Sequence, residues 1–529
     1  WAPARALLER ALRRRARGGE DAPPYAMLGA VARTHLLEGD VDAALSCLEA
    51  ALASAEASGD HAGAGIALNG QAIVFIQLGR FDEAEALSTR ARAAALAAGE
   101  HDLAAKAAGN LGIIASIRGD LAAALRHIDD SLAALRRLGA PNTLAYALNN
   151  RGMLLRRLER WSDAADAFDE ALHMVEAIGD PTGRALVLVN RADLAVARGR
   201  LDDGDTEASA AGALAEQLDA PDIRGEVRKL QGVIARERGD LAGAEALLLA
   251  AEAIADERHL PLLLAEALRE RAELHHRQGR NRDLFQCLNR SHRLFEQMQA
   301  RRDVADVDGR MASLEDEFLR LARRWGDAIE AKDRFTQGHC ERVADLACAI
   351  AERVGFDARA LFWFRIGALL HDVGKLVVPP EVLNKPGKLT DEEWALVRSH
   401  PTVGVEMLAD TEFPWDVRPI VESHHERWDG RGYPAGLAGE AIPLVARVLC
   451  IADVYDALTS ARSYKRALTH DEAMAILRQD VGAQFDPAVF ARFEEIAPEW
   501  RARAAGQSAA PADEPPAVVA AAEAADAVA

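Results

Sequence analysis

Seven side chains in the second half of the chain are of the types that hold metal ions: His339, His371, Asp372, His400, His424, His425 and Asp453. His371 and Asp372 are adjacent and follow the apolar run LFWFRIGALL, and His424 and His425 are adjacent and open the stretch HHERWDGRGYP. Packing does not ask for neighbouring histidines. A histidine and a carboxylate at the inner end of a buried helix need partners, because an unpaired buried polar group is costly. Imidazole and carboxylate without thiolate suit Fe, Mn or similar ions. Seven ligands are too many for one open site and right for two ions sharing a carboxylate, with Asp372 as the natural bridge. Two such ions lower the pKa of a shared water and clamp a phosphate between them.

The elements that must position these groups are helical. His339 lies in TQGHCERVADLACAIAERVG, an amphipathic pattern. The segment before His371 is apolar almost all round (Leu361, Phe362, Trp363, Phe364, Ile366, Leu369, Leu370), which predicts a buried helix stopping near Gly374. Thr390 and Glu393 have the spacing of a capping box, and Pro401 is placed to open a helix after His400. Gly430, Gly432 and Gly436 allow a tight loop whose backbone approaches the site, with Tyr433 and Pro434 at its lip.

The ordered series HDVGK, LNKPGKLTDEEW, HHERWDGRGYPAGLAGEAIP, ADVYDALTSARSYK and FDP at 485–487 is similar to the HD-GYP phosphodiesterases, a branch of the HD metal-hydrolase superfamily, from about Ile329 to Phe493. The resemblance implies an all-α metallohydrolase domain over 329–503, two divalent metal ions (Fe or Mn) on the seven residues above, and hydrolysis of cyclic di-GMP to pGpG and more slowly to GMP. It implies Asp372 and Lys375 as catalytic residues, and Lys375, Tyr433, Arg462 and Lys465 as substrate contacts. Arg447 and Arg466 would join Arg462 and Lys465 in a basic patch for a dianionic ligand. Asp345 and Glu426 are expected to orient imidazoles. Some family members carry a glutamate four residues before the first histidine that supports a third metal. Here that position is Phe335, so a binuclear site is expected, with pGpG as main product. Cys340 stands where serine is usual; packing is its default role and redox sensitivity the alternative. The GYP loop is expected to meet a diguanylate cyclase, and a homodimer is compatible with the resemblance. Two other readings stand beside the enzyme: an adaptor with vestigial catalysis, and a hydrolase of another cyclic dinucleotide such as cyclic GMP-AMP.

The first half repeats. EGD at 38–40, LGR at 78–80, RGD at 118–120, LER at 158–160, RGR at 198–200, RGD at 238–240 and QGR at 278–280 are forty residues apart, and SGD at 58–60, AGE at 98–100, LGA at 138–140, IGD at 178–180 and LDA at 218–220 interleave. Asn110, Asn150 and Asn190 keep the same register. Glycine just past a periodic stretch marks a helix end. Two ends per repeat predict one hairpin of two ~17-residue helices, stacked because a single hairpin cannot bury its apolar face. This resembles tetratricopeptide repeats of the longer kind, an α-solenoid with a groove for a protein or peptide partner. The pair His275–His276 lacks a second ligand cluster in register and is expected to be packed or solvated. The ruler stops near residue 284, where a charged helical linker begins, with an apolar stripe of Leu314, Phe318, Leu321 and Trp325 and an interruption near Gly309. The expected organisation is a lead-in over 1–22, the solenoid over 23–283, the linker over 284–328, the catalytic domain over 329–503 and a disordered Ala/Pro-rich tail over 504–529.

Bulk properties narrow the classes. The chain has 529 residues, a formal net charge of −20 and a pI near 5.3, which disfavours a nucleic-acid polymer as partner. Five scattered cysteines without C-x-x-C spacing predict reduced thiols in the cytoplasm. No apolar run approaches the ~20 residues of a membrane helix, and the opening RALLERALRRRARGG lacks the apolar core of a signal peptide. The first residue is Trp1 rather than Met, which leaves room for an upstream segment.

Overall fold

The computed structural model describes residues 5–10, 25–332, 338–409, 411, 413, 415–460 and 466–507. The described residues are helical, with two isolated β-bridges, Asp429–Ala438 and Val481–Phe485. The chain divides into two compact units, Trp1–Met311 and Ala312–Ala529.

The first unit is a run of helical hairpins from Tyr25–Glu38 to Asn281–Gln297, most helices being 17 or 18 residues long. Glycine and aspartate divide the work at several of the turns. Gly59, Gly119 and Gly179 end one helix with positive φ, and Asp60, Asp120 and Asp180 cap the next by accepting from Gly63, Ala123 and Gly183 main-chain N–H groups. Every twentieth residue from 39 to 299 has a positive φ, including the non-glycines Glu159, Asp219, His259 and Gln299. The ruler therefore runs past residue 284. Asn281–Gln297 packs on Pro261–Gln278 as a further hairpin, and 284–311 group with the repeats rather than forming a linker. The marks at His259 and Gln299 are invisible in the sequence because stacking imposes the left-handed turn even where no glycine stands.

That strain predicts a gain of stability. His259 is exposed, with φ 54°. His259→Gly is expected to stabilise the repeats by roughly 0.5–1 kcal/mol, the left-handed penalty of an L-residue less the chain entropy of glycine. Thermal melting checks this, with Gly279→Ala (φ 70°) as the mirror-image loss.

Within a hairpin, the two helices exchange volume. Gly152 faces Phe168, Gly112 faces Ile128 and Gly232 faces Leu248, each so closely that an added Cβ would lie 2.4, 2.6 and 2.8 Å from the larger side chain. At the equivalent positions of another repeat, Ala192 and Ala208 are both small and fully buried. Each glycine makes room for one large partner, and where the partner is alanine no such room is needed. The late repeats return to the early ones: Arg258 donates to Leu36 O at 3.1 Å, Gln299 to Asp82 at 3.2 Å and Arg302 to Arg157 O at 2.9 Å. His275 is fully buried and bonded to Gln278, while His276 is exposed, so the pair is packed on one side and solvated on the other.

The helix Arg301–Lys332 is unbroken at Gly309, whose missing Cβ would meet nothing within 4 Å. An exposed glycine weakens a helix without ending it. Of the stripe read from the sequence, Phe318 is buried against Trp363 and Phe413 while Leu314, Leu321 and Trp325 are half-buried; Ala322 and Ile329 are the other buried apolar residues of this stretch. In the second unit, Ala358–Leu370 is a buried helix, with Trp363, Phe364, Ile366, Leu369 and Leu370 in the core and Arg365 turned outward to Asp345. His339–Val354 packs against both this helix and Leu444–Thr459. The tail assigned to disorder lies, from 508 onward, outside the described residues.

Candidate metal centre

All seven expected ligands converge. Their donor atoms form two groups, Asp372 with His400, His424 and His425, and His339 with His371 and Asp453, the atoms of each lying within 4.8 Å of one another. Asp372 stands between the groups. Its Oδ1 is 3.3 Å from His400 Nε2 and 3.9 Å from His424 Nε2, and its Oδ2 is 3.5 Å from His371 Nε2. On the other side, His339 Nε2 is 3.3 Å from Asp453 Oδ1.

Helix ends do the positioning. His339 is the first residue of its helix, His371 and Asp372 follow the last turn of Ala358–Leu370, His400 starts His400–Met407, and His424 closes Arg418–Ser423. Thr390 and Glu393 form the expected capping box one helix earlier, and Pro401 sits in the first turn after His400. Three imidazoles are oriented in the same way. His371, His400 and His424 each donate Nδ1–H to the carbonyl three residues earlier (Ala368 at 2.7 Å, Val397 at 2.7 Å, Val421 at 2.8 Å), which leaves Nε2 facing inward as a lone pair.

Electrostatics agree with a cation site. Burial would raise Asp372, but Lys375, 2.7 Å away, and His371 hold it well below the usual carboxylate range. Burial would likewise raise Asp453, and its bond to His339 pulls it far down. Burial pushes His424 down to about 3, with His371 and His400 adding to the effect, and burial with His424 and His400 keeps His425 neutral. For His339 burial alone would lower the pKa, yet the hydrogen bonds and charges of Asp453 and Asp456 raise it to about 9. Nε2 of His371 and of His425 are buried without a hydrogen-bond partner. The ionised carboxylates, the neutral imidazoles of His371, His424 and His425 and the unpaired inward nitrogens are donors a divalent ion requires, and at His339 the two carboxylates hold a proton that a bound cation would displace, so the residues fit a metal site.

The GYP loop is held by backbone contacts. A Cβ on Gly432 would lie 2.4 Å from Arg427 N and 2.6 Å from His425 O, so the loop that follows His425 folds back onto it only with glycine there. The Tyr433 ring stacks on His425 at 4.8 Å with Arg398 over its face, and its hydroxyl is buried without a partner.

Several expected roles change. Glu426 does not orient an imidazole: its carboxylate accepts from Ala435 N at 2.7 Å and Leu437 N at 2.9 Å and so anchors the GYP loop. Asp345 pairs with Arg365 near the surface. Of the expected basic patch, the two described members are engaged elsewhere: Arg447 pairs with Asp486 and lies over Trp428, and Arg466 pairs with Glu472. Arg462, Lys465 and Phe335 lie outside the described residues. Cys340 is 2% exposed, and burial together with Asp372 and Glu330 pushes its thiol well up, so it packs rather than reacts. Two groups were missed from the sequence. Glu330 accepts from Gly338 N and Cys340 N and fixes the backbone around His339. Asp456 lies 2.7 Å from His339 Nδ1; its i, i+3 spacing from Asp453 on one helix was the available signal.

Comparison with known proteins agrees with this geometry. Residues 324–489 match the family model of an HD domain, and residues 24–97 and 103–177 match tetratricopeptide repeats. Both parts of the sequence resemblance are thus borne out. The chain is 42% identical over 207 residues to the cyclic di-GMP phosphodiesterase response regulator RpfG of Xanthomonas campestris pv. campestris, covering 36% of this chain and 54% of that protein. It is 42% identical over 191 residues to a cyclic di-GMP phosphodiesterase of Vibrio cholerae, covering 33% and 39%. It is 36% identical over 183 residues to 3'3'-cGAMP-specific phosphodiesterase 3 of the same organism, covering 34% and 40%. The chain thus spans about half or less of the length of these relatives. Among the described residues, no helix is long and apolar enough to cross a membrane.

Proposed function

We propose, from an HD domain preceded by tetratricopeptide repeats, that this protein is a phosphodiesterase that hydrolyses cyclic di-GMP to linear pGpG with two divalent ions, Fe or Mn, bound at the seven-residue centre. The carrying observation is the placement of the two oxygens of Asp372 between two buried ligand groups. Ions bound there supply Lewis acidity to a phosphate and make water a nucleophile at neutral pH. Water adds to phosphorus, one P–O ester bond breaks, and the product carries a terminal phosphate.

The chain's own residues set up that step. Lys375 Nζ sits 2.7 Å from Asp372 and brings a positive charge to the non-bridging oxygens of a phosphate. Tyr433, stacked on His425 with Arg398 against its ring, is the aromatic side chain beside the centre that would meet a base or ribose. The almost complete burial of Asp372, His371 and His400 excludes bulk water from the charges. The repeats supply a docking surface for a protein or peptide partner: a cavity of about 440 Å³ is lined by Asn69, Lys106, Asn110, Tyr146 and Asn150. The five cysteines are free, which suits the cytoplasm as the working compartment.

The test is turnover by the full chain prepared anaerobically with Fe(II) or Mn(II), with cyclic di-GMP and cyclic GMP-AMP side by side and products separated by chromatography. pGpG from cyclic di-GMP is the expected result. Faster cleavage of cyclic GMP-AMP would move the substrate assignment, and no cleavage of either would overturn the reading.

A further inference from the structure

One imidazole of the centre is backed differently from the others. His371, His400 and His424 donate Nδ1–H to main-chain carbonyls. His339 donates instead to a carboxylate, Asp456 Oδ2, at 2.7 Å. Asp456 is itself held in place: Arg342 donates to both of its oxygens, Nε to Oδ1 at 2.7 Å and Nη2 to Oδ2 at 3.0 Å, and Ser460 Oγ donates to Oδ2 at 3.3 Å. A carboxylate behind an imidazole fixes its tautomer and makes Nε2 a stronger donor than a carbonyl does.

We propose that Asp456, clamped by Arg342, is the positioning residue of His339 and makes the two half-sites unequal. The group of His339, His371 and Asp453 then binds its ion first and more tightly, and the group of Asp372, His400, His424 and His425 fills second. The inference rests on the metal-centre reading above. Its physical content is local. The half-site of His339 has Asp453 to itself and the half-site of His400 only its share of Asp372, and the anionic backing of His339 adds to that difference on the same side, a contribution that Asp456→Asn isolates. Glu330 adds to this by holding the main chain on both sides of His339. Sliding of the His339 ring is thereby restricted from two directions, through its ring nitrogen and through its backbone.

The experiment is Mn(II) titration of the chelator-treated full chain, followed by electron paramagnetic resonance of free Mn(II) and by equilibrium dialysis. Two unequal binding steps are expected for the wild type. In Asp456→Asn, which keeps the shape and removes the charge, the tight step weakens by about 10–100-fold while the weak step stays within about twofold. Asp456→Glu restores part of the tight step. Arg342→Gln, at a partly exposed side chain that bonds Asp456, gives a smaller loss with the same selectivity and guards against a misfolded Asp456 variant. Equal affinities in the wild type, an unchanged tight step in both Asp456→Asn and Arg342→Gln, or a parallel loss of both steps would overturn the proposal. Absence of Mn(II) and Fe(II) binding by the wild type would instead sink the metal-centre reading on which it rests.

Discussion

Asp372→Asn is expected to leave a folded chain that keeps fewer than two metal ions and cleaves cyclic di-GMP at least about 10³-fold more slowly, since removing one preorganised stabilising group already costs 10²–10³-fold. The reason is the number of groups that depend on this carboxylate. One oxygen faces His400 and His424, the other faces His371 and Lys375. At 2% exposure no water replaces the lost charge. Asparagine preserves volume, so circular dichroism and melting should change little while metal content and turnover fall together. Normal metal content with normal turnover would remove Asp372 from the centre of the scheme.

The second large effect is expected from Gly374→Ala. A Cβ there would lie 1.9 Å from His400 O and 2.8 Å from Gly404 N, both main-chain atoms that cannot swing aside. The helix His400–Met407 must back away, carrying His400 from Asp372. A loss of about 3 kcal/mol in the stability of this unit is expected, at the upper end for an overpacked site, with loss of one metal. Gly309→Ala is the matched control. Its added Cβ meets nothing within 4 Å in an unbroken helix, so it should be neutral or stabilising by up to about 1 kcal/mol. Similar melting shifts for the two variants would show that the close approach at Gly374 is not what holds His400.

These two glycines also show the limit of reading a pattern. In the sequence both looked like helix breaks. Gly309 interrupts nothing. Gly374 lies beyond the helix, which ends at Leu370, and its function is to let a turn and a helix start touch. Nothing local distinguishes them, because the reason for Gly374 sits some thirty residues away. The same holds for charge. Arg447 and Glu426 looked like site residues by type, and the fold assigns one to Asp486 and the other to the main chain of the GYP loop.

What the sequence determined by itself was whatever is set by period, residue type and short spacing. The forty-residue ruler gave the hairpins because glycine and aspartate act on the turn in which they stand. The seven ligands were legible because adjacent histidines and a buried His–Asp pair have no packing explanation. Only the tertiary structure decided the sorting of those ligands into two groups, the position of Asp372 between them, the backing of His339 by Asp456 across 117 residues, and the extension of the repeats through His259 and Gln299. The first three are contacts between segments far apart in the chain, and the last is a turn that helix stacking sets without a glycine. Their geometry comes from helix packing, which a one-dimensional pattern constrains only through the volumes and faces it supplies.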